Sequence, residues 1–447
     1  MGIEKMGKKV GLYLLVVALA LSAGAAFVRA QSSSAEIVIL EATGPVVPPL
    51  AGYISRGLEA ADSRNAEAVI LVLDTPGGSV NVTLEIIQDI RTSDVPVVVF
   101  VGPRGAKAAS AGLLITLAGH AAAMAPETAI GASSPVGPQG QDLESTIQEK
   151  EKQYLSAQAR SLAERRGAEA VMIADEAVMQ ARAVSASEAL SAGLVDFIAA
   201  DVDDLLAQLD GFEVEVNGQA RTLHTRQTVP FSIPMSALES LLMLLTDPNI
   251  VFLLLSIGST AIIVEIRTPG GWVAGAVGTV CLGLALYGLG VLPVNWLGLI
   301  FVIMAFVLFV LEVKAPVHGA LTAAGIASLA AGAFILFNQP QIAPFGRLSL
   351  PLVIGQSLFL GAIFVFLVTK VVQAQALKPT TGYAGLIGQV GRVAEDLNPV
   401  GMVVVFGERW QAEAEDRRLI PTGTEVEVIE ARRMRLRVRP RDTSALS

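Results

Sequence analysis

Between Asn249 and about Lys370 the sequence holds five apolar runs: Ile250–Ile266, Trp272–Val291, Trp296–Leu311, Ala320–Phe337 and Leu352–Val371. A helix needs about 20 predominantly apolar residues to cross the hydrocarbon of a bilayer, so these runs read as five spans. Several are near the lower length limit and rich in glycine, which suits close helix packing. A membrane domain over residues 249–372 divides what remains into a part before it and a part after it. The composition agrees, with 52% hydrophobic and only 16% charged residues, where a soluble chain carries roughly 25% charged. The net charge of −9 excludes nucleic acid as the main partner, because phosphate binding needs surplus Lys and Arg. The single cysteine, Cys281, lies inside an apolar run and excludes an intrachain disulfide. With three histidines and no Cys/His cluster, the sequence implies no metal and no cofactor.

Two independent signals orient the chain. Lys5, Lys8 and Lys9, the apolar stretch Val10–Ala20 and the small-x-small triplet Val28-Arg29-Ala30 form a signal peptide over residues 1–30. Arg267, Lys314, Lys370 and Lys378 follow spans one, three and five, whereas the opposite loops hold only Arg347. By the positive-inside rule the N-terminal part lies outside the cytoplasmic membrane and the C-terminus inside. Glu265 and Glu312 lie at span ends and read as interfacial, which disfavours a transporter or channel.

Residues 31–228 alternate buried-strand and helix patterns. Glu36–Leu40, Ala68–Leu73 and Val95–Val101 are short β-branched runs, and Leu50–Ala61 and Val80–Arg91 have helical periods. Continuous apolar strands separated by helices predict a mainly parallel sheet covered on both faces. A hairpin turning at Asn217-Gly218 follows. Pro230–Leu245, within a linker of residues 229–248, reads as an amphipathic stretch on the bilayer surface, capped by Ser236. In residues 380–441 five short runs, Gly388–Ala394, Gly401–Phe406, Trp410–Ala414, Glu425–Ile429 and Arg433–Val438, predict a small all-β barrel of the OB type. Its last run alternates arginines with apolar residues, a solvated basic face balanced by Glu413, Glu415 and Asp416.

Two glycine-rich turns directly follow buried strands: DTPGG (Asp74–Gly78) and GAKAASAG (Gly105–Gly112). Ligand chemistry gathers at the carboxyl ends of parallel strands, and glycine lets the backbone approach a substrate closely. Ser110 comes where small residues open a helix, whose N-terminal dipole favours a developing anion. This is an acyl-transfer arrangement: Ser110 attacks a carbonyl while the backbone N–H groups of Gly78 and Ala111 hold the oxyanion.

DTPGG, then ASAG, then MAPETAIGA (Met124–Ala132) resemble the Clp-type serine protease and signal-peptide-peptidase superfamily. That resemblance implies an α/β Clp/crotonase-like ββα spiral. The whole layout, with signal peptide, this domain, several spans and an OB-like tail, resembles the long form of the NfeD family. Those are membrane proteases associated with stomatin- or flotillin-like proteins. The resemblance implies a serine endopeptidase that cleaves an apolar segment of such a partner, and Clp-like folds imply a homo-oligomer.

The group that activates Ser110 follows from the same resemblance. Clp proteases place a histidine downstream of the nucleophile, but the corresponding region, Ser133–Val136, has none. His120 reads as structural, His224 lies in the linker and His318 lies between spans three and four, on the cytoplasmic side. Long-form NfeD proteins use a Ser–Lys dyad, with the lysine at the start of a long helix after a loop, here Ser133–Glu144. Matching KQYLSAQARSLAE to that helix implies Lys150 as the base, with Lys152 as the rival. Two residues apart on a helix, only one of them can face Ser110. Lys107 lacks the family position. A base lysine must be neutral, which requires burial to lower its pKa from about 10.4 toward 7–8.

Two other readings stand beside this one. A catalytically inactive scaffold would organise stomatin-like proteins through its spans and barrel. A signal-peptide peptidase would carry its lysine upstream of the serine. The second TPGG, Thr268–Gly271, repeats the oxyanion motif but follows a span and reads as a packing turn.

Overall fold

The computed structural model describes residues 35–134, 145–267, 271–314, 319–337, 345–376, 383–432 and 434–441. The expected signal peptide, residues 135–144 of the Ser133–Glu144 loop, Thr268–Gly270, His318 and Lys378 lie outside them.

The first domain starts with β1 (Glu36–Thr43), α1 (Pro48–Ser63), β2 (Ala68–Asp74), α2 (Val80–Thr92) and β3 (Val97–Val101). It continues through β4 (Lys107–Ala109), α3 (Ala111–Ala118), β5 (Ala121–Met124), β6 (Ala129–Gly131), α4 (Ser145–Ala163) and α5 (Ala168–Met179). Next come β7 (Ala183–Ser185), α6 (Ala186–Ser191), β8 (Phe197–Ile198), α7 (Val202–Leu209), β9 (Glu213–Val216), β10 (Gln219–Thr222), β11 (Val229–Ser232) and α8 (Ala237–Leu244).

Six strands form one sheet in the order β11-β1-β2-β3-β5-β8, and every pair in it is parallel. The apolar runs are unbroken because both faces are covered. Val97, Val99 and Val101 enter one core with helices α1 to α5. Val98 and Phe100, pointing the other way, enter a second core with Leu205, Leu209, Val214 and Val216. The short strands β4, β6 and β7 form a separate sheet, in which β4 and β6 run parallel. Successive β-strand and helix units turning between two sheets give the expected α/β spiral.

Residues 229–232 depart from the interfacial reading. They add a strand to the open side of β1, with Ile37 opposite Pro230. Val229 N–H donates to Ala35 O and Ile233 N–H to Ile39 O, so the position of Pro230, which has no N–H to give, faces outward as an edge strand allows. The expected helix follows as α8, where Ser236 and Glu239 form a reciprocal capping box. Leu238, Leu241 and Leu244 stay exposed. Two contacts fasten this segment to α1. The Tyr53 hydroxyl donates to Ile233 O at 2.7 Å, and Arg56 forks onto Glu239 with N–O distances of 2.8 and 2.7 Å. The guanidinium holds the Glu239 carboxyl down at about 2.

Five helices long and apolar enough to cross a membrane follow, at Pro248–Ile266, Val273–Val291, Trp296–Lys314, Ala320–Phe337 and Leu350–Lys370. These match the predicted runs to within a few residues. The first two pack at small residues: a Cβ on Gly278 would lie 3.0 Å from Gly258 O, the close backbone approach that glycine permits in membranes.

The C-terminal unit ends in a closed barrel, β12 (Val390–Glu395), β13 (Val400–Val405), β14 (Glu408–Ala414), β15 (Glu425–Arg432) and β16 (Arg435–Pro440). The order is β12-β13-β14-β16-β15, with β15 pairing back to β12. Alternate residues, including Val403, Val405, Val426, Val428, Leu436 and Val438, fill its interior. The arginines between them face carboxylates: Arg435 lies 3.9 Å from Glu413, and Arg439 lies 3.2 Å from Glu427.

Candidate active site

Both glycine-rich turns leave the same edge of the main sheet, because β2 and β3 are parallel neighbours. Backbone and side chain then lace them together. Thr75 N–H donates to Lys107 O at 2.8 Å, and Ala109 N–H returns a bond to Thr75 O at 3.0 Å. The Asp74 carboxylate accepts the Lys107 N–H at 3.1 Å. The Thr75 hydroxyl is buried and accepts the Gly77 N–H at 3.1 Å. In the sequence, Thr75 is marked only by its place inside DTPGG.

Ser110 is the residue before α3, at φ 53° and ψ −114°. A non-glycine residue rarely adopts that conformation and does so at a cost of about 1–3 kcal/mol, a feature that clusters at functional sites. Gly77 presses against it: a Cβ there would lie 2.6 Å from Ser110 Cβ and 3.1 Å from its Oγ. Only glycine leaves room for the serine. The Ser110 side chain is half-buried, and among the described residues its hydroxyl has no hydrogen-bond partner.

The two expected oxyanion donors are both uncommitted. Gly78 pairs with Val46 as an isolated parallel bridge. Val46 N–H donates to Gly77 O, and Ser79 N–H donates to Val46 O. Because successive N–H groups alternate along an extended strand, the Gly78 N–H points away from Val46 and meets no acceptor among the described residues. A Cβ on Gly78 would lie 2.2 Å from Val46 O, so this approach too requires glycine. Ala111 is the first residue of α3, where the N–H has no acceptor within its own helix.

Among the described residues no lysine side chain is hydrogen-bonded into this cluster. Lys150 and Lys152 are both on α4. Leu155, Ser156, Ala159 and Ala163 make its buried face. Lys152 lies one turn before them and is half-buried, whereas Lys150 is exposed. Among the described residues neither is hydrogen-bonded to Ser110. Lys107 is exposed on β4 and is held there through its backbone.

His120 is a core residue. It is 6% exposed, and its Nδ1 accepts the Val97 N–H at 3.0 Å. Burial, then the charges of Arg91 and Arg165, push its pKa down to about 4. Among the described residues no three His, Cys, Asp or Glu side chains converge as a metal site.

Three family models match in succession. The NfeD1b N-terminal domain covers residues 36–218, the NfeD integral membrane domain residues 249–370, and the NfeD-like C-terminal, partner-binding domain residues 383–440. The membrane-bound protease PH1510 of Pyrococcus horikoshii is 35% identical over 404 residues, covering 88% of this chain and 91% of that protein. The chain belongs to the NfeD family. A second NfeD relative, membrane protein NfeD1b of Bacillus subtilis, is 25% identical over 417 residues, covering 87% of this chain and 89% of that one. Among solved structures this NfeD chain matches a lysine-to-alanine mutant of the 1510-N membrane-bound stomatin-specific protease in complex with a substrate peptide. The identity is 32%, the match covers 47% of this chain and 96% of that one, and the TM-score is 0.44.

Proposed function

We propose that this NfeD protein is a membrane-bound serine endopeptidase in which Ser110 is the nucleophile and Lys150 the general base. The observation that carries this reading is the strained Ser110, whose hydroxyl, with the Gly78 and Ala111 N–H groups, meets no partner among the described residues. Lys150, neutral when the substrate excludes water from it, takes the Ser110 hydroxyl proton as Oγ bonds to the scissile carbonyl carbon. The carbonyl oxygen becomes an anion held by the Gly78 and Ala111 N–H groups, each such donor being worth about 2.7–4 kcal/mol in comparable sites. Collapse breaks the C–N bond, and the lysine returns its proton to the departing amine. Water then releases the acyl group by the reverse sequence, regenerating Ser110.

The substrate is an apolar segment of a membrane protein, a stomatin- or flotillin-like partner. Support comes from the 35% identical relative, a membrane-bound protease, and from the 1510-N structure, whose protein is described as stomatin-specific. The barrel, matched to a partner-binding domain, holds that partner on the cytoplasmic side, and the protease domain works on the other face of the membrane as an oligomer.

Fluorophosphonate labelling of the full-length protein in detergent tests this reading. Labelling of the native protein that disappears in Ser110→Ala and slows strongly in Lys150→Ala supports it. A folded native protein with no Ser110-dependent labelling would instead mark the chain as an inactive scaffold.

A further inference from the structure

The region Ser133–Val136 offers no histidine to the nucleophile, yet it makes a bond of another kind. The Ser133 hydroxyl donates to the backbone carbonyl of Ser110 at 2.7 Å. Ser133 is 4% exposed, so this bond is shielded from competing water. The same carbonyl also receives the Leu113 N–H at 3.1 Å, the ordinary first turn of α3. On its other side, Ser110 N–H donates to Gly131 O at 2.8 Å. Residues 131–133 therefore grip the nucleophile's backbone from both ends.

The strap is itself fastened. Ala132 N–H donates to Arg182 O and Ser133 N–H to Ala177 O, both at 2.8 Å. Gly131 and Ala132 take φ values of 128° and 49°, which turns the strap so that the Ser133 side chain meets Ser110.

The carbonyl of Ser110 and the N–H of Ala111 belong to one peptide group. That group is planar and trans, so its C=O and N–H point in opposite directions and cannot be aimed separately. A donor that fixes the carbonyl also fixes the N–H. It polarises the N–H as well, since hydrogen bonds in a chain strengthen one another. We propose that Ser133 is a positioning residue, whose hydroxyl aims and polarises the Ala111 N–H toward the oxyanion while holding Ser110 in its strained conformation. This rests on the reading of Ser110 as nucleophile and Ala111 as oxyanion donor.

The test uses the full-length protein in detergent and compares the native form with Ser133→Ala, Ser133→Cys, Ser133→Thr and Ser110→Ala. Hydrolysis of a fluorogenic apolar peptide gives kcat and KM, and fluorophosphonate labelling gives the rate of attack on Ser110. Losing one buried bond of this kind is expected to lower kcat and the labelling rate about tenfold, with KM changed by less than about twofold. Cysteine fills the same space with a weak donor, so Ser133→Cys keeps the fold and loses most of the same factor. Ser133→Thr restores the hydroxyl and most of the rate. Unchanged kcat and labelling in folded Ser133→Ala or Ser133→Cys, with labelling still dependent on Ser110, overturns the proposal alone. Labelling that persists in Ser110→Ala removes the reading beneath it.

Discussion

The two halves of the candidate dyad are built in opposite ways. Ser110 is enclosed by Gly77, by the strap of residues 131–133 and by α3, and the turns around it are joined by backbone bonds of 2.8 to 3.0 Å. Lys150 stands exposed on α4 and among the described residues is not hydrogen-bonded to Ser110. The contrast follows the physics of each task. An oxyanion hole works only if its dipoles are already aimed, because reorganising them during the reaction forfeits their stabilisation. A base lysine needs desolvation, and a substrate covering it can supply that at the moment of use. On the proposed mechanism, one half is a preformed electrostatic site and the other is completed by what it binds.

The sharpest test of that contrast is Ser110→Ala, which removes the reacting atom. Peptidase activity is expected to fall by about four orders of magnitude or more, toward the residual rate of binding and oxyanion stabilisation alone. Fluorophosphonate incorporation, followed by mass spectrometry of the intact protein, checks it. Lys150→Ala comes next, with an expected loss of about 10²–10⁴ in kcat, whereas Lys152→Ala stays within a fewfold of native. If the two lysines exchange these effects in steady-state assays, the base is the half-buried residue and the contrast between the halves disappears.

Gly78→Ala probes the preformed half directly. Its Cβ would meet Val46 O at 2.2 Å, so the turn must shift and carry one oxyanion donor with it. A kcat loss of about 10²–10³ with little change in KM is expected. The smallest effect concerns His120, behind the nucleophile helix. Its pKa in the folded protein, about 4, lies below the ordinary 6.5, so the unfolded chain binds more protons between those values. Stability is therefore complete above about pH 6.5 and is lost as pH falls toward 4, by at most about 3 kcal/mol. Thermal melting across that window should show the loss, and His120→Gln should flatten it.

Much of this architecture was readable before any coordinates. The parallel strands declared themselves because strands buried on both faces must be apolar at every residue, as Val97–Val101 is. The spans followed from length, and the barrel from its alternation. The strand Val229–Ser232 did not, because all four of its residues are exposed and Pro230 argues against a strand. Only the free edge of β1, a property of the assembled sheet, makes it one. The three-residue strands β4, β6 and β7 were similarly too short to carry a period. At the site, Ser110 and the glycines were legible because close approach demands particular residues. Thr75 was marked only by its place inside DTPGG, and Ser133 by nothing, since each bonds a backbone group whose direction exists only after folding. The choice of Lys150 over Lys152 rests on family resemblance, whereas the packing of α4 leaves Lys150 exposed and Lys152 half-buried.

The addition of residues 229–232 to the sheet has a mechanical consequence. The strand runs into a segment clasped by Tyr53 and Arg56, then into α8, and then, after three residues, into the first span. No slack tether separates the domain from its anchor. The peptidase is mounted like a tool on a fixed post rather than hung on a chain. On the proposed reading, Ser110 is therefore held at one set standoff from the anchor, and a substrate would be cut by how many residues it extends from the bilayer as much as by which residues they are.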